Sequence, residues 1–173
     1  MATVAPETFT RRASAASTAP DRYEKILSIA AIILLAAVVA ALWKGRAEWP
    51  RVPAVVWPHL LTIAIALALT PVMLLRRRGD RRHRALGMIW VAAMVLTAAS
   101  SFFIRTIGGG GFSWIHLLSV WTLIQVPWLW WRARIHDVAG HRRGVRGIVT
   151  GALLIAGFFT FPFDRMLGHW LFG

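Results

Sequence analysis

The chain has 173 residues, of which 57% are apolar and only 16% charged, and a formal net charge of +13. A single domain's length of so apolar a composition is too greasy for a water-soluble core and belongs in a bilayer. The excess of Lys and Arg would point to nucleic acid in a soluble chain, but here it sits in short loops beside apolar runs, where it reads as a topology signal; lipid, not nucleic acid, is the expected partner.

Residues 1 to 21 are rich in Ala, Ser and Thr without apolar periodicity and are expected to form a disordered cytoplasmic tail, leaving 22 to 173 as a single transmembrane domain. Apolar runs follow at about 26–43, 55–75, 86–104, 114–131 and 148–163. Each is near the roughly 20 residues that cross a hydrocarbon core of about 30 Å. In lipid such a run satisfies its own backbone groups only as a helix, so the fold class is all-α, a multi-pass bundle of five spans. The first run is longer than the roughly 7–15 residues of a signal-peptide core and no clear small-x-small site precedes a polar start, which predicts an uncleaved anchor.

The orientation follows from the basic residues. Arg11, Arg12, Arg22 and Lys25 precede the first run; Arg76, Arg77, Arg78, Arg81, Arg82 and Arg84 follow the second; Arg132, Arg134, Arg142, Arg143 and Arg146 follow the fourth. The other side holds only Lys44, Arg46, Arg51, Arg105 and Arg165. Fifteen against five predicts the N-terminus in the cytoplasm and the C-terminus outside, in a bacterial inner membrane. Trp43, Trp49, Trp57 and Trp114 then fall at one interface and Trp128, Trp130 and Trp131 at the other, as an aromatic belt; Trp90 and Trp121 fall deeper.

Two stretches read as copies, WPHLLT at 57–62 and WIHLLS at 114–119. The likeness continues forward. His59 is followed 24 residues on by His83-Arg84 and His116 is followed 25 residues on by His141-Arg142, with Pro71 and Pro127 in matching places between them. Beyond the first helix, the expected architecture is therefore a hairpin made twice, 57–104 and 114–161, the two copies being parallel repeats about an axis along the membrane normal. Such an arrangement carries His59 and His116 to one depth and His83 and His141 to another.

Neutral imidazoles from two helices can supply both axial ligands of a haem iron in a helical bundle. One histidine on each of four consecutive helices is the pattern this chemistry needs, and it resembles the cytochrome b561 type of di-haem membrane protein over about residues 57–160. That resemblance implies two b-type haems, His59 with His116 and His83 with His141, and electrons passing between them to a redox partner or a quinone. Arg84, Arg142 and Arg143 are candidate partners for propionates, and Gly87, Gly144, Gly147 and Gly151 would leave room for a planar group. The plainer readings are that Gly147 and Gly151 form a helix-packing GxxxG face, that the arginines mark the inner side, and that the histidines are interfacial polar groups. A zinc or copper site would need a third ligand that neither layer supplies. The absence of cysteine excludes disulfides, iron–sulfur clusters and thioether-linked haem.

No carboxylate is apparent inside a span, with Glu48, Asp80, Asp137 and Asp164 all in loops or tails, which disfavours a proton pump or cation carrier. Gln125 is expected to bond a neighbouring helix through Thr70, Thr97 or Thr150. Nothing resembles a hydrolase triad or a phosphate loop. The stretches HRALGMIWVAAMVLTAASSFFIR, GGGGFSWIHLLSVWTL and HRRGVRGIVTGALLIAGFFTF also resemble the bacterial membrane-protein family called domain of unknown function 2306, over about residues 55–170, with Met88 and Gly144 departing from its commonest pattern. That resemblance implies a multi-pass membrane fold and no particular activity. Three functional readings stand: a di-haem electron carrier, a structural or assembly protein without catalysis, and, last, a small-molecule transporter.

Overall fold

A computed structural model describes residues 19–76, 78–104 and 114–173. These are helical with no strand among them: α1 Arg22–Lys44, a 3-10 segment Gly45–Arg51, α2 Val56–Leu75, α3 Arg81–Ser101, α4 Trp114–Arg134, α5 Val138–Ile148, a π-helical segment Val149–Ile155, α6 Ala156–Phe158 and α7 Met166–Phe172. Three stretches are long and apolar enough to cross a membrane: Arg22–Arg51, Val56–Leu75 and Arg81–Ser101. α4, with 21 residues, matches these stretches in length.

The surface also argues for lipid. Ile26, Ile29, Ile33, Leu61, Leu96 and Ile124 are each more than half exposed, spread over four helices. In water these helices would hide such side chains on one face.

Polar residues inside the helices are satisfied locally. Thr70, Thr97 and Thr122 each donate a hydroxyl proton to the carbonyl four residues back, at 2.7–2.8 Å, so the apolar surroundings meet no stray donor. Thr97 also meets Thr62 at 2.8 Å, Trp90 Nε1 donates to Thr70 Oγ1 at 3.0 Å, and Thr150 meets the Tyr23 hydroxyl. The three threonines expected to serve Gln125 thus have other partners.

The helices run up and down, so two ends can be distinguished. At the basic end lie the start of α1, the α2–α3 turn and the α4–α5 turn. At the opposite end lie the 3-10 segment and α7, whose Leu167 and Trp170 pack with Val38 and Ala41 of α1 and Val56 and Leu60 of α2. The main core, between the ends, joins Leu27 and Ala31 of α1, Leu67 of α2, Trp90 and Met94 of α3, Val126 of α4 and Leu153 of the π segment.

Three helices begin earlier than their apolar runs, α1 at Arg22 behind the Asp21 cap and two others. α3 opens at Arg81, where Asp80 caps it by accepting from His83 N at 2.6 Å, and α5 opens at Val138, where Asp137 accepts from Gly140 N at 2.8 Å. Apolar content alone misses a first turn made of Arg and His, because a capped helix extends past the lipid boundary into polar surroundings. His83 and His141 therefore stand on helices, not on loops. Of the expected tail, residues 1–18 lie outside the described residues, while Asp21 caps α1 and the Ala19 carbonyl accepts from Arg78 and Arg142.

Candidate functional site

At the basic end, α1 begins with a reciprocal capping box in which Glu24 N donates to Asp21 Oδ1 at 3.0 Å and Asp21 N donates to Glu24 Oε2 at 3.1 Å. The Glu24 side chain is wholly buried. Three arginines converge on it: Arg78 at 2.5 Å, Arg142 Nε at 2.7 Å and Arg146 at 3.1 Å. Arg142 and Arg146 are four residues apart on α5 and so share one face, while Arg78 comes from the α2–α3 turn. Both α5 arginines also pair with Asp21. The Glu24 amide helps to hold the Asp21 carboxyl below the usual carboxylate range. The sequence expectations passed over Glu24, although Asp-x-x-Glu ahead of an apolar run is the signature that would have found it.

Glu24, Arg78 and Arg142 also line a cavity of about 250 Å³. His83 of α3 and His141 of α5 both line it, with Met73 of α2, Trp90 of α3 and Leu129 of α4 among its walls. The His83 Nδ1 atom is buried and makes no hydrogen bond among the described residues. The His141 Nδ1 lies 2.9 Å from the Leu129 carbonyl, which can only accept, so Nδ1 carries the proton and Nε2 is the nitrogen left with a lone pair. A ligating histidine is usually oriented by this kind of bond.

Arg84 and Arg134 also line this cavity, and neither forms an ion pair among the described residues. Arg134 instead lies over the Trp130 ring, 4.8 Å from its centre. Arg142, one of the expected propionate partners, is committed to Glu24. Two imidazoles and two arginines without an ion-pair partner among the described residues thus share one lining, donor types that a planar anionic cofactor would need, in a cavity of about 250 Å³ that would have to widen to enclose one whole. Met88 forms part of the wall and is 59% exposed, so on that side the cavity is bounded by a flexible thioether, not by packed core.

The glycines divide. A methyl group on Gly87 would approach the Met73 side chain to 3.3 Å and one on Gly144 would approach Leu129 to 3.2 Å, both beside the cavity, while Gly147 has nothing within 4 Å and so does not act as a close-packing glycine.

The other expected pair is arranged differently. His59 of α2 lines a second cavity, of about 730 Å³, at the opposite end. His116 of α4 is buried but does not line that cavity; its ring lies 5.7 Å from that of Phe102. The structure thus brings His83 and His141 to one cavity and does not bring His59 and His116 to one. No cluster of three or more His, Asp or Glu side chains with metal-ligand spacing occurs among the described residues. Compared with protein-family models, curated proteins and solved structures, the chain matches none.

Proposed function

We propose that the chain is a five-span protein of a bacterial inner membrane, basic end in the cytoplasm, that carries electrons through a b-type haem held between His83 and His141. The observation that carries this reading is the single cavity lined by both histidines, with the buried His83 Nδ1 unsatisfied on its wall. When bound, such a haem supplies one-electron chemistry at the iron. The chain's own residues would do the rest. The Leu129 carbonyl fixes the His141 tautomer, Asp80 and Asp137 anchor the turns that present the two imidazoles, and Trp90, Met73 and Leu129 keep water from the site. Arg84 and Arg134 offer positive charge to carboxylates at the cavity's edge.

The resemblance to di-haem proteins in topology and histidine placement supports this reading, and the resemblance to domain of unknown function 2306 supports the membrane fold alone; the shared opening of α3 and α5 on an aspartate cap fits a duplicated hairpin. His59 and His116 are left out of the haem proposal because they do not share a cavity.

The test is a reduced-minus-oxidised visible spectrum of the full chain purified in detergent from haem-replete cells. A b-type α-band is expected in the wild type, abolished in His83→Ala/His141→Ala and retained in His59→Ala/His116→Ala. Absence of any band from folded, monodisperse wild-type protein would refute the haem and favour the structural reading. Loss of half the band in the His59/His116 variant would instead show a second haem.

A further inference from the structure

The large cavity at the opposite end has its own chemistry. It lies among α2, α3, α4, the π segment and the turns before α7. With a volume of about 730 Å³ it falls within the range of sites that enclose whole small molecules. Its walls are mainly apolar, with one polar patch formed by His59, Thr97, Ser101, Ser119 and Thr122 and a second, on the turn before α7, formed by Thr160, Asp164 and Arg165. The hydroxyls in the His59 patch are spoken for. Ser101 Oγ meets Ser119 Oγ at 2.6 Å, and Thr97 and Thr122 donate to carbonyls of their own helices.

His59 differs. Its Nδ1 lies 3.1 Å from the Thr97 carbonyl and 3.1 Å from Ser100 Oγ. The carbonyl can only accept, and the Ser100 hydroxyl proton is already directed at that same carbonyl, at 3.0 Å, so both oxygens accept from Nδ1–H. The neutral ring then has its lone pair on Nε2. That atom makes no hydrogen bond among the described residues. Among the polar groups of the His59 patch, this lone pair is the one left without a donor.

Two further features bear on what enters. The adjoining helix departs from α geometry over Val149–Ile155, and its Ala152, with Ala156 and Gly157 just beyond, gives this wall only small side chains. π-helical segments often accompany functional sites because the extra residue opens the helix. On another wall, the Phe159 and Phe163 rings stack 6.0 Å apart at 18°, and Phe163 and Asp164 hold the left-handed backbone conformation, with φ of 63° and 57°. A bulky non-glycine residue rarely adopts that conformation.

We infer that this cavity binds a lipophilic molecule bearing a hydroxyl head, which donates its proton in a hydrogen bond to His59 Nε2 while its apolar body lies against Met94, Leu118 and the two phenylalanines. A quinol and an aliphatic alcohol share this chemistry, and the aromatic wall favours the former. The inference stands apart from the haem at the basic end, since it needs neither His83 nor His141.

The test is anaerobic isothermal titration calorimetry of the full chain in detergent, with tetramethylbenzoquinol, its quinone and octanol as probes and the same micelles as blank. The quinol is expected to bind at one site and the quinone, matched in shape but lacking a donor, about tenfold more weakly, the scale of one hydrogen bond. Octanol binding as tightly as the quinol would assign the site to aliphatic alcohols, and much weaker octanol binding would assign it to quinols. His59→Phe should bring quinol affinity down to that of the quinone, and Ala152→Phe, which fills the cavity, should remove both. Equal binding of quinol and quinone to the wild type, or no binding of any probe, would overturn the inference even if neither variant folds. None of these readouts depends on haem.

Discussion

Among the described residues, Glu24 is the carboxylate that meets the most arginines. A carboxylate removed from water is tolerated only when opposing charge and hydrogen bonds replace its hydration, and here three guanidinium groups and one backbone amide do so. Those guanidiniums come from a turn and a helix far apart in sequence, so the side chain ties three parts of the basic end together. Neutralising it leaves three part-buried cations close together, with Asp21 still opposite two of them. Glu24→Gln is expected to destabilise the protein by about 3–5 kcal/mol, on the scale of breaking a buried ion pair, read as a fall in the thermal unfolding midpoint in detergent. An unchanged midpoint would mean that the cluster is hydrated and adds little. The same cluster explains why Arg142 is a poor candidate for holding a cofactor while Arg84 and Arg134 are better ones. Basic residues that look equivalent along the chain are separated by whether a carboxylate reaches them.

At the level of the element, α3 and α5 are set by their caps. Asp80 accepts from the His83 amide and pairs with Arg76 at 2.8 Å; the Arg76 bond first, and the amide next, hold its carboxyl down at about 2. With the folded value below the unfolded one, near 3.9, the cap's contribution is present above about pH 4 and lost as pH falls toward 2. The His83 amide resonance should therefore titrate with a midpoint near 2. A midpoint near 4 would show that Arg76 does not engage the carboxylate. These caps matter to function because they extend each helix beyond its apolar run to the histidine, which then stands in a helical first turn where its direction is determined. The apolar period could not reveal this. It registers contact with lipid or core, and the capped turns carry Arg, His and Gly, whose helicity comes from the aspartate ahead of them.

On the scale of the whole molecule, three helices suffice in length and apolarity to cross a bilayer, and the distribution of basic residues predicts which way they face. The lack of cysteine makes the orientation directly measurable. Arg81→Cys, at the basic end, should resist a membrane-impermeant maleimide in intact cells and react after permeabilisation, while Glu48→Cys, in the 3-10 segment, should react in both. The reverse pattern would invert the topology and with it the side on which the His83 and His141 cavity opens. The two cavities at opposite ends also make the haem and the hydroxyl-ligand readings separable, since each rests on different side chains.

Much of this protein was legible from composition alone. Long apolar runs become helices because lipid offers the backbone no other partner, and that constraint is local, acting on each run wherever its neighbours lie. The spacing of His83 from His59 and of His141 from His116 likewise placed the histidines near opposite ends of their hairpins, because rise per residue is constant along a helix. Which of them meet was another matter. A helix turns about 100° with each residue, so small differences in how α2 to α5 rotate and pack decide whether a side chain faces a cavity, a neighbour or lipid. Only the tertiary structure put His83 and His141 on one cavity, turned His116 toward Phe102, pinned the His59 tautomer against α3 and gathered three distant arginines around Glu24. Burial in lipid is a property of a segment's composition, whereas a site is a property of relative rotation, which no single segment contains.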